Sequence, residues 1–129
     1  ISLDIKVSGL ESMEDQIGIF DKIPSTEMAE MIMKMIRNPN EGEEVFLKMA
    51  QYYHKQDLDN LTKMILDNEE FGSASEDILD KRNHNWIPKM EELMKTKSCF
   101  FAVGAGHLPG EKGVISLLRQ AGFTVEPIY

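Results

Sequence analysis

A single cysteine, Cys99, excludes an intrachain disulfide framework and leaves the redox compartment open. Cations are few: 14 Lys and Arg stand against 22 Asp and Glu, for a formal charge of −8. That balance argues against nucleic acid and anionic membrane surfaces as partners, because both need clustered Lys and Arg. No apolar run approaches the roughly 20 residues that cross a bilayer, so no membrane span is expected. The chain opens Ile1-Ser2-Leu3-Asp4, with neither an initiator Met nor a basic-then-apolar leader. The expectation is a piece of a longer protein, whose location the sequence leaves unknown. What remains is 129 residues, 42% of them hydrophobic, enough for one domain or part of one.

Ile5-Lys6-Val7, closed by Ser8-Gly9, reads as a strand. A helix follows, with Ser12 able to cap its first turn, Asp15 in the capping-box place, and Met13, Ile17 and Phe20 at helical spacing. Pro24-Ser25 starts a second helix along Met28, Met31, Ile32, Met35 and Ile36. Asn38 to Gly42 reads as a turn, and a third helix from Glu43 carries Val45, Phe46, Met49, Tyr52 and Tyr53. Asp57 caps a fourth, and a Gly72–Ser75 loop leads to a long fifth helix reaching the Lys95 region. The nine methionines read as core filler.

The pattern then changes. Cys99 to Val103 is a continuous apolar run, which suits a strand buried on both faces. A glycine loop from Gly104 to Gly110 follows, then a helix on Val114, Leu117 and Leu118 ended by Gly122, then a strand from Phe123 to Pro127. The expected fold class is α/β (α+β). Residues 1–24 hold a strand and first helix, 25–97 a helical segment, and 98–129 a β-α-β tail with the glycine–His loop. Three strands make a poor sheet, so the tail is expected to belong to a larger mixed sheet with helices on its faces and further strands upstream of Ile1.

Open sheets place ligands where a strand runs into a loop, and His107 stands in such a loop between Gly106 and Leu108. An imidazole there can bind a divalent metal or move a proton, or simply sit solvated at the tip of a glycine turn. Gly104, Gly106 and Gly110, with Glu126 on the next strand, also imitate a dinucleotide fingerprint. Pro109 and the wrong glycine spacing count against that nucleotide-binding reading. Glu11 follows the first strand, as a partner for His107 or as an answer to the next helix's dipole. Arg82 and Trp86, four apart, share a helix face; such an arginine seeks a carboxylate or phosphate, or is an ordinary surface residue. His84 reads as solvated or paired with Asp80, and His54 as a helix-end residue.

Gly9-Leu10-Glu11-Ser12 with Gln16, Arg82-Asn83 with Trp86, and Phe101-Ala102-Val103-Gly104-Ala105-Gly106-His107-Leu108-Pro109-Gly110 together resemble motifs of the TraB/GumN (Tiki-like) family. Tyr53-His54-Lys55-Gln56-Asp57-Leu58 resembles a weaker element of it, with Gln56 where the family has glycine, and Met90 fills the last place of the arginine helix. The resemblance implies a metal-dependent hydrolase, peptidase-like or esterase-like, with manganese, cobalt or zinc. Carried over by residue, His107 is the histidine of the second G-x-x-H motif, Glu11 the site glutamate and Arg82 the site arginine. His107 and Glu11 would be metal ligands, supported by Gly104, Gly106 and Asn83. Only one G-x-x-H is present, so the other is expected upstream, in a missing N-terminal half. This chain alone is then expected to hold no metal, to be inactive on a peptide or small-molecule substrate, and to pair as a homodimer through exposed edges. Some family members block pheromone signals, which makes a non-catalytic binding protein the alternative.

Overall fold

A computed structural model describes residues 5–66 and 76–128, apart from the side chains of Ile65 and Leu66. Six α-helices run through these residues: α1 (Met13–Ile17), α2 (Ser25–Arg37), α3 (Pro39–His54), α4 (Leu58–Leu66), α5 (Lys81–Met94) and α6 (Val114–Gln120). Tight 3₁₀ turns lie at Phe20–Lys22 and Ala105–His107, and a wider π-helical turn at Glu76–Asp80 leads into α5. The loop expected over Gly72–Ser75 lies outside the described residues.

The α/β expectation is overturned: the described residues contain no strand, and the architecture is all-α. Ile5–Val7, Cys99–Val103 and Phe123–Pro127 are irregular, without the ladder hydrogen bonds that define a sheet. An apolar run alone does not make a strand, because its polar backbone must also find a parallel or antiparallel neighbour. In Cys99–Val103 the side chains still alternate. Phe101 and Val103 pack inward, while Phe100 is 93% exposed. The run lies as a single extended segment against helices rather than against other strands.

The helical signals are local, and several act as their residues dictate. Ser12 accepts from the Asp15 backbone at 3.0 Å and Asp15 accepts from the Ser12 backbone at 3.2 Å, a reciprocal cap that starts α1. Asp57 accepts from the Asn60 backbone at 3.1 Å and starts α4. The expected turn at Asn38–Gly42 is instead the first turn of α3, since Pro39 stands at its N-terminus, where no N–H is needed. The chain leaves α3 through Gln56, whose φ of 55° puts a side-chain-bearing residue in the left-handed region.

The core gathers late in the chain. Trp86 and Met90 of α5 and Val114 of α6 are buried together, with Leu10, Ile87, Met94, Phe101, Val103 and Leu118 around them. Met90 is 1% exposed and closes the centre of this cluster. Leu10 brings the N-terminal segment onto α5, and Phe101 and Val103 bring the segment before the glycine loop. The core thereby draws residues 10, 86 and 107 into one neighbourhood. No helix among the described residues is long and apolar enough to cross a membrane.

Candidate functional site

The first turns of α5 supply three of the site's side chains. Arg82 and Trp86 stand one helical turn apart on one face, and Asn83 points into the interior at 2% exposure. Arg82 meets Glu11 across 71 residues of sequence in a two-point pair, its Nε donating at 2.9 Å to one carboxylate oxygen and its terminal nitrogen to the other. The Trp86 indole donates to the same carboxylate at 3.3 Å. A further Arg82 nitrogen donates to the Ile78 carbonyl at 3.0 Å, so three of the guanidinium's five N–H groups are engaged. The guanidinium also lies 5.1 Å from the Trp86 ring centre, an attractive cation–π distance.

His107 reaches this cluster from the loop. Its ring packs on Trp86 with 4.6 Å between centres, it is 8% exposed, and its Nδ1 is 2.7 Å from Asn83 Oδ1. Asn83 in turn donates to the Lys112 carbonyl at 2.9 Å. Glu11, Arg82, Asn83 and His107 therefore converge, with Trp86 touching both the carboxylate and the imidazole. Gly104 lies beside the ring: a Cβ there would come within 3.7 Å of His107 Cδ2. Gly106 lines a cleft of about 310 Å³ with Thr62, Leu79, Asp80, Asn83 and Lys112.

The charges follow from this packing. Hydrogen bonding from Arg82, then its positive charge, holds the Glu11 carboxyl below its usual range against the opposing effect of burial. Burial pushes His107 down to about 4, and the Arg82 charge pushes the same way, against a pull from Glu11. The imidazole is thus neutral at neutral pH, the form that can accept a proton or bind a metal.

A metal fits His107 better than it fits Glu11. Asn83 engages only Nδ1 of the ring, whereas both Glu11 oxygens accept hydrogen bonds from Arg82 or Trp86. Among the described residues no group of three His, Cys, Asp or Glu gathers as a metal shell. At this cluster the described residues thus offer one imidazole nitrogen, Nε2 of His107, and not a full ligand set.

The other candidates lie elsewhere. His84 Nδ1 is 2.8 Å from the Asp80 carbonyl, on the exposed side of α5, and His54 is exposed in the last turn of α3. Glu126 is exposed near the C-terminus. The sequence reading placed Trp86 in the arginine-helix motif and on the Arg82 face but did not name it as a site residue. Both its place in that motif and its position four residues after an arginine, which puts an indole under a guanidinium, were signals for it.

Two proteins of known type match part of the chain. The metalloprotease TIKI2 of Xenopus tropicalis is 43% identical over 54 residues, and that of Danio rerio 37% identical over 54 residues. Each match covers 40% of this chain and only 10% of the relative's length. No solved structure matches. Residues 2–127 match the TraB/PrgY/gumN family, and with nearly its whole length inside that match the chain belongs to this family.

Proposed function

We propose that the Glu11–Arg82–Trp86–His107 cluster is one share of a metal-dependent hydrolase site, acting on peptide bonds. The observation that carries this reading is the meeting of a neutral, buried imidazole with an arginine already oriented by a carboxylate and an indole. Similarity to two metalloproteases supports it. In this reading His107 is the ligand this chain contributes, and the other ligands come from outside the described residues. A divalent ion bound there would supply Lewis acidity toward a carbonyl. Arg82 keeps two N–H groups free and directs them at a developing negative charge or a substrate carboxylate. Glu11 fixes the guanidinium rather than binding the ion, because its oxygens are engaged. Trp86 keeps water from both charged groups by covering them on one side.

A second reading is a non-catalytic binding protein, in which the Glu11 oxygens engaged by Arg82 and Trp86 and the imidazole held by Asn83 serve packing rather than chemistry. One titration separates the two. Calorimetry of the chain with manganese, cobalt and zinc should show weak binding that His107→Ala removes, and no peptidase turnover. His107→Gln, closer in size, checks that the loss is not a folding defect, as circular dichroism of both variants would reveal. Wild-type chain that ignores all three ions would favour the binding protein. Metal-dependent turnover by this chain alone would show that its site is whole and the shared-site proposal mistaken.

A further inference from the structure

We infer that Asn83 holds His107 in its Nδ1–H tautomer and so presents the bare Nε2 as the donor nitrogen of the site. The use of Nε2 as a donor rests on the hydrolase reading above; the tautomer does not.

The argument starts at a carbonyl. The Lys112 oxygen can only accept, so the Asn83 group 2.9 Å from it must be the amide nitrogen. That fixes the other end of the amide: Asn83 Oδ1 faces the imidazole, at 2.7 Å from Nδ1. An amide oxygen also only accepts, so Nδ1 must carry the hydrogen. A neutral imidazole has one N–H, and Nε2 is left with its lone pair. Turning the amide over would set Oδ1 against the Lys112 carbonyl, two acceptors face to face. At 2% exposure Asn83 has no water shell to relieve that opposition.

The carbonyl at the head of this relay is itself anchored. Lys112 Nζ donates to Asp80 at 2.8 Å, so its residue is tied to the start of α5 by its side chain and to Asn83 by its backbone. The following Gly113 closes a turn with a 3.1 Å bond to the Gly110 carbonyl. It is packed so tightly that a Cβ would lie 2.1 Å from the Pro109 oxygen. At the far end of the relay, Gly104 leaves the Cδ2 edge of the ring, beside Nε2, without a side chain over it. Asn83 is therefore a positioning residue: it acts on the chemistry only through the ring it orients.

Long-range proton–nitrogen NMR of the 15N-labelled chain at pH 7 reads the tautomer directly. The His107 Nδ1 should show the shift of a protonated ring nitrogen and Nε2 that of an unprotonated one. In Asn83→Leu, which keeps the bulk and loses the acceptor, the two shifts should move toward the Nε2–H form. Asn83→Ala serves the same purpose if the leucine does not pack, and the wild-type spectrum decides the tautomer without either variant. A wild-type ring protonated on Nε2, or folded variants that keep the Nδ1–H pattern unchanged, would overturn the inference. Nδ1–H in a chain that binds no metal would leave it standing while removing the hydrolase reading.

Discussion

Titrating the chain from pH 7 toward 4.5 offers protons to an imidazole that the fold keeps neutral. In the unfolded chain His107 takes its proton near 6.5; in the folded chain burial and the Arg82 charge delay this to about 4. Between those values the unfolded state binds one more proton, so stability is full above 6.5 and is lost as the pH falls through the window. The slope is about 1.4 kcal/mol per pH unit, giving a loss of about 3 kcal/mol by pH 4. That is a large part of the ~5–15 kcal/mol that holds a typical domain. Glu11 acts in the same direction at lower pH, because its depressed carboxyl stabilises above 4.5 and ceases to as the pH falls through its folded value. Asp15, Asp57 and Asp77 likewise begin from 3.8. Between pH 6.5 and 5, the loss shown by wild type and absent from a His107 variant is therefore the share of this imidazole. Urea melts at pH 7, 6 and 5, followed by fluorescence of the single tryptophan, measure it. His107→Phe keeps an aromatic ring on Trp86 and removes the proton, so its stability should change far less across the interval. Equal slopes for wild type and variant would refute the assignment.

Two backbone positions give sharper expectations. Gly113→Ala should cost about 3 kcal/mol or more, read as a fall in melting temperature, because its Cβ meets backbone oxygens at 2.1 and 2.5 Å that cannot turn aside. Gln56→Gly should raise the melting temperature by stabilising the chain about 1 kcal/mol, since Gln56 ends α3 at a φ of 55°.

The helices were legible because their signals are local. The Ser12–Asp15 cap, the Asp57 cap and the Pro24-Ser25 start depend on residues within one turn of each other. The lack of strands among the described residues was not, because strand formation depends on a distant neighbour whose presence or absence no spacing reveals. The Cys99–Val103 run was read as a strand buried on both faces, but only Phe101 and Val103 pack inward, on α5 and α6, while Phe100 is exposed. The methionine stripe misled for a related reason. Met90 is buried, but Met33, Met35 and Met49 are exposed, since helical spacing marks a face without saying that anything covers it. At the site, Glu11, Arg82 and His107 were named together, with Glu11 expected as a metal ligand beside His107. Their ordering was not legible. That Glu11 would give both oxygens to Arg82 and Trp86, or that Asn83 would reach back to the Lys112 carbonyl, depends on contacts across 71, 75 and 29 residues.

Helix α5 gives this arrangement an unusual tolerance profile. Arg82, Trp86 and Met90 follow one another at four-residue intervals, so a single stripe runs from the charged cluster into the centre of the core. Deleting His84 or Asn85, between Asn83 and Trp86, would rotate everything beyond it by about 100° relative to what precedes it. The indole would leave the carboxylate and the imidazole at the same moment that Met90 left the core. Chemistry and folding are indexed to one helical register here. Insertions and deletions within this stretch of α5 are therefore closed to sequence drift.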